Sequence, residues 1–167
     1  VKSNWLWVFN RNLCMPRKAT NAGVYVEYDP KAIGNSQEMN IGELEDKLSG
    51  GKTEKGVRFS KDRTVRFASY DTMKSEFEQQ TPEELAKDSF IIASYGIEGA
   101  EELAEVAKEL TYKSCVCSIS DNNEPVQRVS ALFSYWLDYG LVVVGGYRGG
   151  GRGGCAFGVS DSGKTSV

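Results

Sequence analysis

The residues that most resemble chemical machinery lie near the C-terminus, where Gly158, Gly163, Lys164 and Thr165 fill every fixed position of the pattern G-x-x-x-x-G-K-[ST]. In a phosphate-binding loop the backbone amides wrap the phosphates, and the Lys and Ser/Thr sit in the first turn of a helix whose positive end faces the ligand. Only Ser166 and Val167 follow here, fewer than one helical turn. None of the apolar strands expected upstream ends in an aspartate suited to hold magnesium. The match is therefore read as a decoy with no nucleotide or other cofactor, and residues 161–167 as a flexible tail.

Histidine is absent from the chain. That removes the commonest general base, the usual partner of a Ser or Cys nucleophile and the commonest metal ligand. The four cysteines, Cys14, Cys115, Cys117 and Cys155, lack the paired C-x2-C knuckles of a zinc site, so no metal is expected. Cys115 and Cys117 stand two apart and share one face of a strand. Each can take a distant partner, which makes all four candidates for two disulfides in an exported protein, with buried free thiols as the rival reading. The chain opens on Val1 instead of methionine, which reads as a piece trimmed from a longer precursor. Alternatives to export are a cytoplasmic protein or a processed polyprotein fragment.

Two cationic features point to a partner. The window from Lys52 to Arg66 holds Lys52, Lys55, Arg58, Lys61, Arg63 and Arg66 against Glu54 and Asp62, the most basic stretch of a chain whose net charge is −3. At that net charge no global field gathers nucleic acid or anionic membrane, so any polyanion site must be a local patch. Residues 145–154 place Tyr147, Arg148 and Arg152 among glycines, resembling in composition the Arg-Gly segments that present guanidinium groups to RNA. A single copy between two apolar strands reads first as a loop, then as a loop that contacts a partner. The partner-contact candidates are thus Arg58, Lys61, Arg63, Arg66, Tyr147, Arg148 and Arg152. Glutamates along residues 98–109 and the pair Tyr135 and Tyr139 read as a solvated helix face and an exposed contact surface.

Elements must position these residues. At 167 residues, with 40% hydrophobic and 26% charged, the chain fits one domain spanning 1–167 with a real core. Asn4–Phe9 and Val24–Tyr28 alternate as strands that can pair across a long loop. Residues 41–48 predict a helix capped by Asn40, and Thr81-Pro82-Glu83-Glu84 predicts a second with a capping box. A shorter helical turn from Asp71 to Gln79 would use Met73 and Phe77. Segments 56–60 and 64–70 predict a hairpin with Val57, Phe59, Val65 and Phe67 on one face. Beyond Ser89 the pattern predicts a strand at 90–93, a helix with Ala100, Leu103, Ala104, Ala107 and Leu110 inward, a strand at 114–120, a helix opened by Pro125, a strand at 141–144 and a last strand at 155–160.

The hairpin-rich first half favours an α+β fold, a mixed or mostly antiparallel sheet with helices packed on it, over a doubly wound parallel sheet. A split βαβ, ferredoxin-like arrangement is the alternative. The expected function is that of a non-enzymatic, exported interaction protein, such as a toxin or effector, acting through loops and the basic hairpin on a protein or cell-surface partner. Two other readings stay open. One is a small histidine-independent enzyme using carboxylate, Tyr or Lys at strand ends. The other is a nucleic-acid binder acting through the Arg-Gly loop.

Overall fold

A computed structural model describes residues 5–28, 38–74, 78–109, 114–117, 123–135 and 140–144. Among them the chain forms β1 (Trp5–Cys14), β2 (Gly23–Tyr28), α1 (Ile41–Ser49), β3 (Lys52–Glu54), β4 (Val57–Phe59) and β5 (Val65–Ser69). After a 3-10 turn at Tyr70–Thr72 come β6 (Gln79–Gln80), α2 (Pro82–Leu85), α3 (Ser89–Glu109), β7 (Ser114–Cys117), β8 (Val126–Tyr135) and β9 (Gly140–Val144). The strands join in one sheet of order β3-β4-β5-β2-β1-β8-β9-β7-β6. Neighbours pair antiparallel except β7 with β9, which are parallel. The fold is α+β, a mostly antiparallel sheet with helices packed against it.

Strand alternation explains how the first half of this sheet is covered on both sides. In β2, Val24 and Val26 join Val57, Phe59 and Ala68 in the core that holds Phe90, Ile91 and Ile92 of α3. Tyr25 points the other way and packs with Val65, Phe67 and Leu44 and Leu48 of α1. The register Val57↔Ala68 and Phe59↔Arg66 corrects the expectation that Val57, Phe59, Val65 and Phe67 share one face. The turn at residues 60–64 sets an odd residue of β4 opposite an even residue of β5, so Val65 and Phe67 line the α1 side while Val57 and Phe59 line the α3 side. Both layers are dry: Val57 and Val65 are each 0% exposed. The entry to β3 is close-packed as well, since a Cβ on Gly51 would lie 1.7 Å from the Phe59 carbonyl oxygen.

The helix starts follow their local chemistry. Asn40 Oδ1 accepts from the Gly42 and Glu43 amides at 2.8 and 3.3 Å, satisfying two of the donors that a helix start leaves open. Thr81 and Glu84 form the reciprocal capping box expected of α2. Of the helical turn expected from Asp71 to Gln79, the described residues show only the 3-10 turn; Met73 and Lys74 are not helical and Gln79 begins β6.

Two elements after Asp88 differ from the sequence reading. Residues 90–93 are the start of α3, not a strand. Asp88 Oδ1 accepts from the Phe90 and Ile91 amides at 2.8 and 3.3 Å, an N-cap, and the turn it opens is buried on all sides. A run of four buried apolar residues carries no helical stripe to distinguish it from a strand. Residues 126–135 are β8, not a helix, because β1 pairs along one edge and β9 along part of the other. Tertiary pairing overrides the local 3.6-residue pattern there. Among the described residues from Ser89 to Val144, the expected alternation of strand and helix is therefore a helix, α3, interrupted at Gly96 and followed by three strands. Leu110, Phe77, Trp136, Tyr139, the segment 145–154, the strand expected at 155–160 and the tail lie outside the described residues. Among the described residues no helix is long and apolar enough to cross a membrane.

Candidate functional site

The basic hairpin was the main candidate among the described residues, and the fold uses most of its charge internally. Arg58, on β4, donates from both terminal nitrogens to Glu45 of α1 at 2.9 and 2.7 Å and stacks over the Phe67 ring at 4.6 Å. A paired fork of this kind is a strong form of ion pair. Arg63 holds a left-handed backbone at φ 59° in the β4–β5 turn. It donates to Glu54 at 2.9 Å and lies over Phe59 at 4.6 Å. Lys61 is exposed and makes no ion pair among the described residues.

Arg66 is half-buried and serves the bend of α3. That helix breaks at Gly96, whose φ of 82° and ψ of 174° suit glycine and interrupt the ladder of backbone bonds. The Ala93 carbonyl left by the break accepts from Arg66 Nη1 at 3.0 Å, and Arg66 Nε donates to the Arg63 carbonyl at 3.2 Å. Burial first, and then the nearby Arg63 charge, lowers the Arg66 pKa. A cation at the end of the first helical half also faces the negative end of its dipole. Arg63 and Arg66 line a groove of about 680 Å³ with Glu54, Glu98 and Glu102. A second groove, of about 560 Å³, lies between α1 and the start of β8, with Leu13, Met39 and Gln127 in its wall.

Residues not singled out by the sequence complete these contacts. Tyr25, 0% exposed, donates its hydroxyl to Glu45 and accepts from Asn21. Burial, with the Glu45 bond adding to it, pushes the Tyr25 hydroxyl up to about 12, while Arg58 draws Glu45 below the usual carboxylate range. Glu27 accepts from Arg11 of β1 and, at 3.0 Å, from Lys47 of α1. No spacing rule pairs Glu45 with Arg58, because the contact is between a helix and a strand that meet only in the folded chain.

For two of the four cysteines the structure has the rival arrangement, a buried thiol. Cys14 and Cys115 are buried free thiols. The sheet order places β7, which carries Cys115 and Cys117, three strand steps from β1, which carries Cys14. At about 4.8 Å per step that is roughly 14 Å, twice the Cα separation a disulfide can span. Burial pushes the Cys14 thiol up to about 11, opposed weakly by Arg128, and burial raises Cys115 too. Neither is poised as a thiolate. Cys155, Tyr147, Arg148, Arg152, Gly158, Gly163, Lys164 and Thr165 lie outside the described residues. The chain enters the Arg-Gly segment from Val144, where β9 runs between β8 and β7.

Asp88 is the most buried described carboxylate, raised by burial and held by Gln80 Nε2 at 2.8 Å. It caps α3 and does not face a groove described above. Among the described residues no three His, Cys, Asp or Glu side chains are grouped to hold a metal. The first groove is thus lined by Arg63 paired with Glu54 and Arg66 bonded to backbone carbonyls, and the second by mostly uncharged side chains.

These features define an α+β protein with helices flanking a mostly antiparallel sheet, an architecture similar to that of a solved structure with the C-type lectin fold. The particular solved structure it resembles is described as "Accommodation of massive sequence variation in Nanoarchaeota by the C-type lectin fold", with a TM-score of 0.52 and 21% identity over 86% of this chain and 71% of that one. At that identity the likeness speaks to the fold alone. No family model and no curated protein matches the sequence.

Proposed function

We propose that the chain is a non-enzymatic binding protein that takes a protein or glycan partner on its loops, with Lys61, Tyr147, Arg148 and Arg152 as contact residues. The observation that carries the reading is the internal commitment of the hairpin cations. Arg58, Arg63 and Arg66 answer Glu45, Glu54 and the Ala93 carbonyl, which favours Lys61 and the residues of the Arg-Gly segment as the partner contacts. The likeness to a C-type lectin fold able to accommodate massive sequence variation supports a scaffold whose core tolerates changing surface loops. Burial that keeps Cys14, Cys115 and Tyr25 in their neutral forms supports binding over catalysis. The binding role requires neither export nor a toxin or effector activity.

The test immobilises the protein against a printed glycan array and a displayed peptide library. A variant carrying Tyr147→Ala, Arg148→Ala and Arg152→Ala is run beside the wild type, with Arg63→Ala as the control. Saturable binding that the triple variant loses at unchanged melting temperature, and that Arg63→Ala keeps, supports the reading. No saturable binding, or equal binding by the triple variant, refutes it. Binding only to single-stranded RNA, collapsing as salt rises, would transfer the same residues to a nucleic-acid role.

A further inference from the structure

No further inference is drawn: the strongest candidate, the polar groove between the β3–β5 strands and the bend of α3, combines a helix start at Gly96 with two guanidinium groups already engaged by Glu54 and the Ala93 carbonyl, and no second observation points to a ligand there.

Discussion

Removing Glu45 tests whether the basic hairpin is built into the fold or held out for a partner. Its carboxylate binds the Arg58 fork at 2.7 and 2.9 Å and takes the Tyr25 hydroxyl. The ion pair is partly exposed, 37% and 36% for the two side chains, so screening holds it to about 1 kcal/mol. Leaving the Tyr25 hydroxyl inside without its acceptor costs about 1–3 kcal/mol more. Glu45→Ala should therefore lose about 2–4 kcal/mol, a fall of roughly 4–16 °C in melting temperature for a domain of this size. Arg58→Ala should lose about 1–2 kcal/mol, the ion pair together with the stacking on Phe67. Urea unfolding at neutral pH measures both, and a double-mutant cycle should return a coupling of about 0.5–1 kcal/mol. Tyr25→Phe should recover part of the Glu45→Ala loss, because it deletes the stranded hydroxyl. If Glu45→Ala left the midpoint unmoved, or Arg58→Ala abolished partner binding at unchanged stability, the assignment of Arg58 to the fold would be wrong.

Asp62 accepts from Ser60 Oγ and from the Thr64 amide and hydroxyl, which together hold its pKa down from 3.8 to about 2. Its stabilisation is fully present above the ordinary carboxylate pKa and is lost as pH falls through the depressed one. A shift of that size would equal about 2.5 kcal/mol if buried, and exposure reduces it to about 1 kcal/mol. Asp62→Asn should accordingly flatten the acid limb of stability between pH 4 and 2, and an unchanged limb would remove Asp62 from the account. Asp88 has the opposite sign: burial raises its pKa, so its contribution is present below the ordinary value and lost as pH rises through the raised one. Asp88→Ala should cost about 2–4 kcal/mol through the lost cap and the stranded Gln80 amide. Asp88→Asn should cost under about 1 kcal/mol, because Asn caps well and Gln80 can turn its unpaired Oε1 toward the new amide; equal losses in thermal melts would contradict this geometry. Cys14 and Cys115 should resist a thiol reagent in the native protein and react once it is unfolded, without reductant. A disulfide-linked peptide containing either in a non-reducing digest would overturn their free state.

Where the sequence could be read, the signal was local and redundant. The Asn40 cap and the Thr81–Glu84 box each lie within four residues of the helix they start, and the hairpin pair β4–β5 flanks its own turn. Where the reading failed, the deciding neighbour was remote. Ser89–Ala93 is apolar on every side because the sheet and α2 enclose it, and β8 is a strand because β1, more than a hundred residues earlier, pairs with it, as the Asn12–Ser130 bond over 118 residues illustrates. Charge obeys the same limit. The run from Lys52 to Arg66 looks like a free cationic patch when only its own Glu54 and Asp62 are weighed against it. Its answering groups include Glu45, 13 residues before Arg58, and the Ala93 carbonyl, 27 residues after Arg66. A backbone carbonyl has no letter of its own in the sequence, so no composition of a window could have counted it. A basic window therefore marks a binding surface only after the fold's own acceptors have been subtracted, and in this hairpin that subtraction, made among the described residues, leaves Lys61.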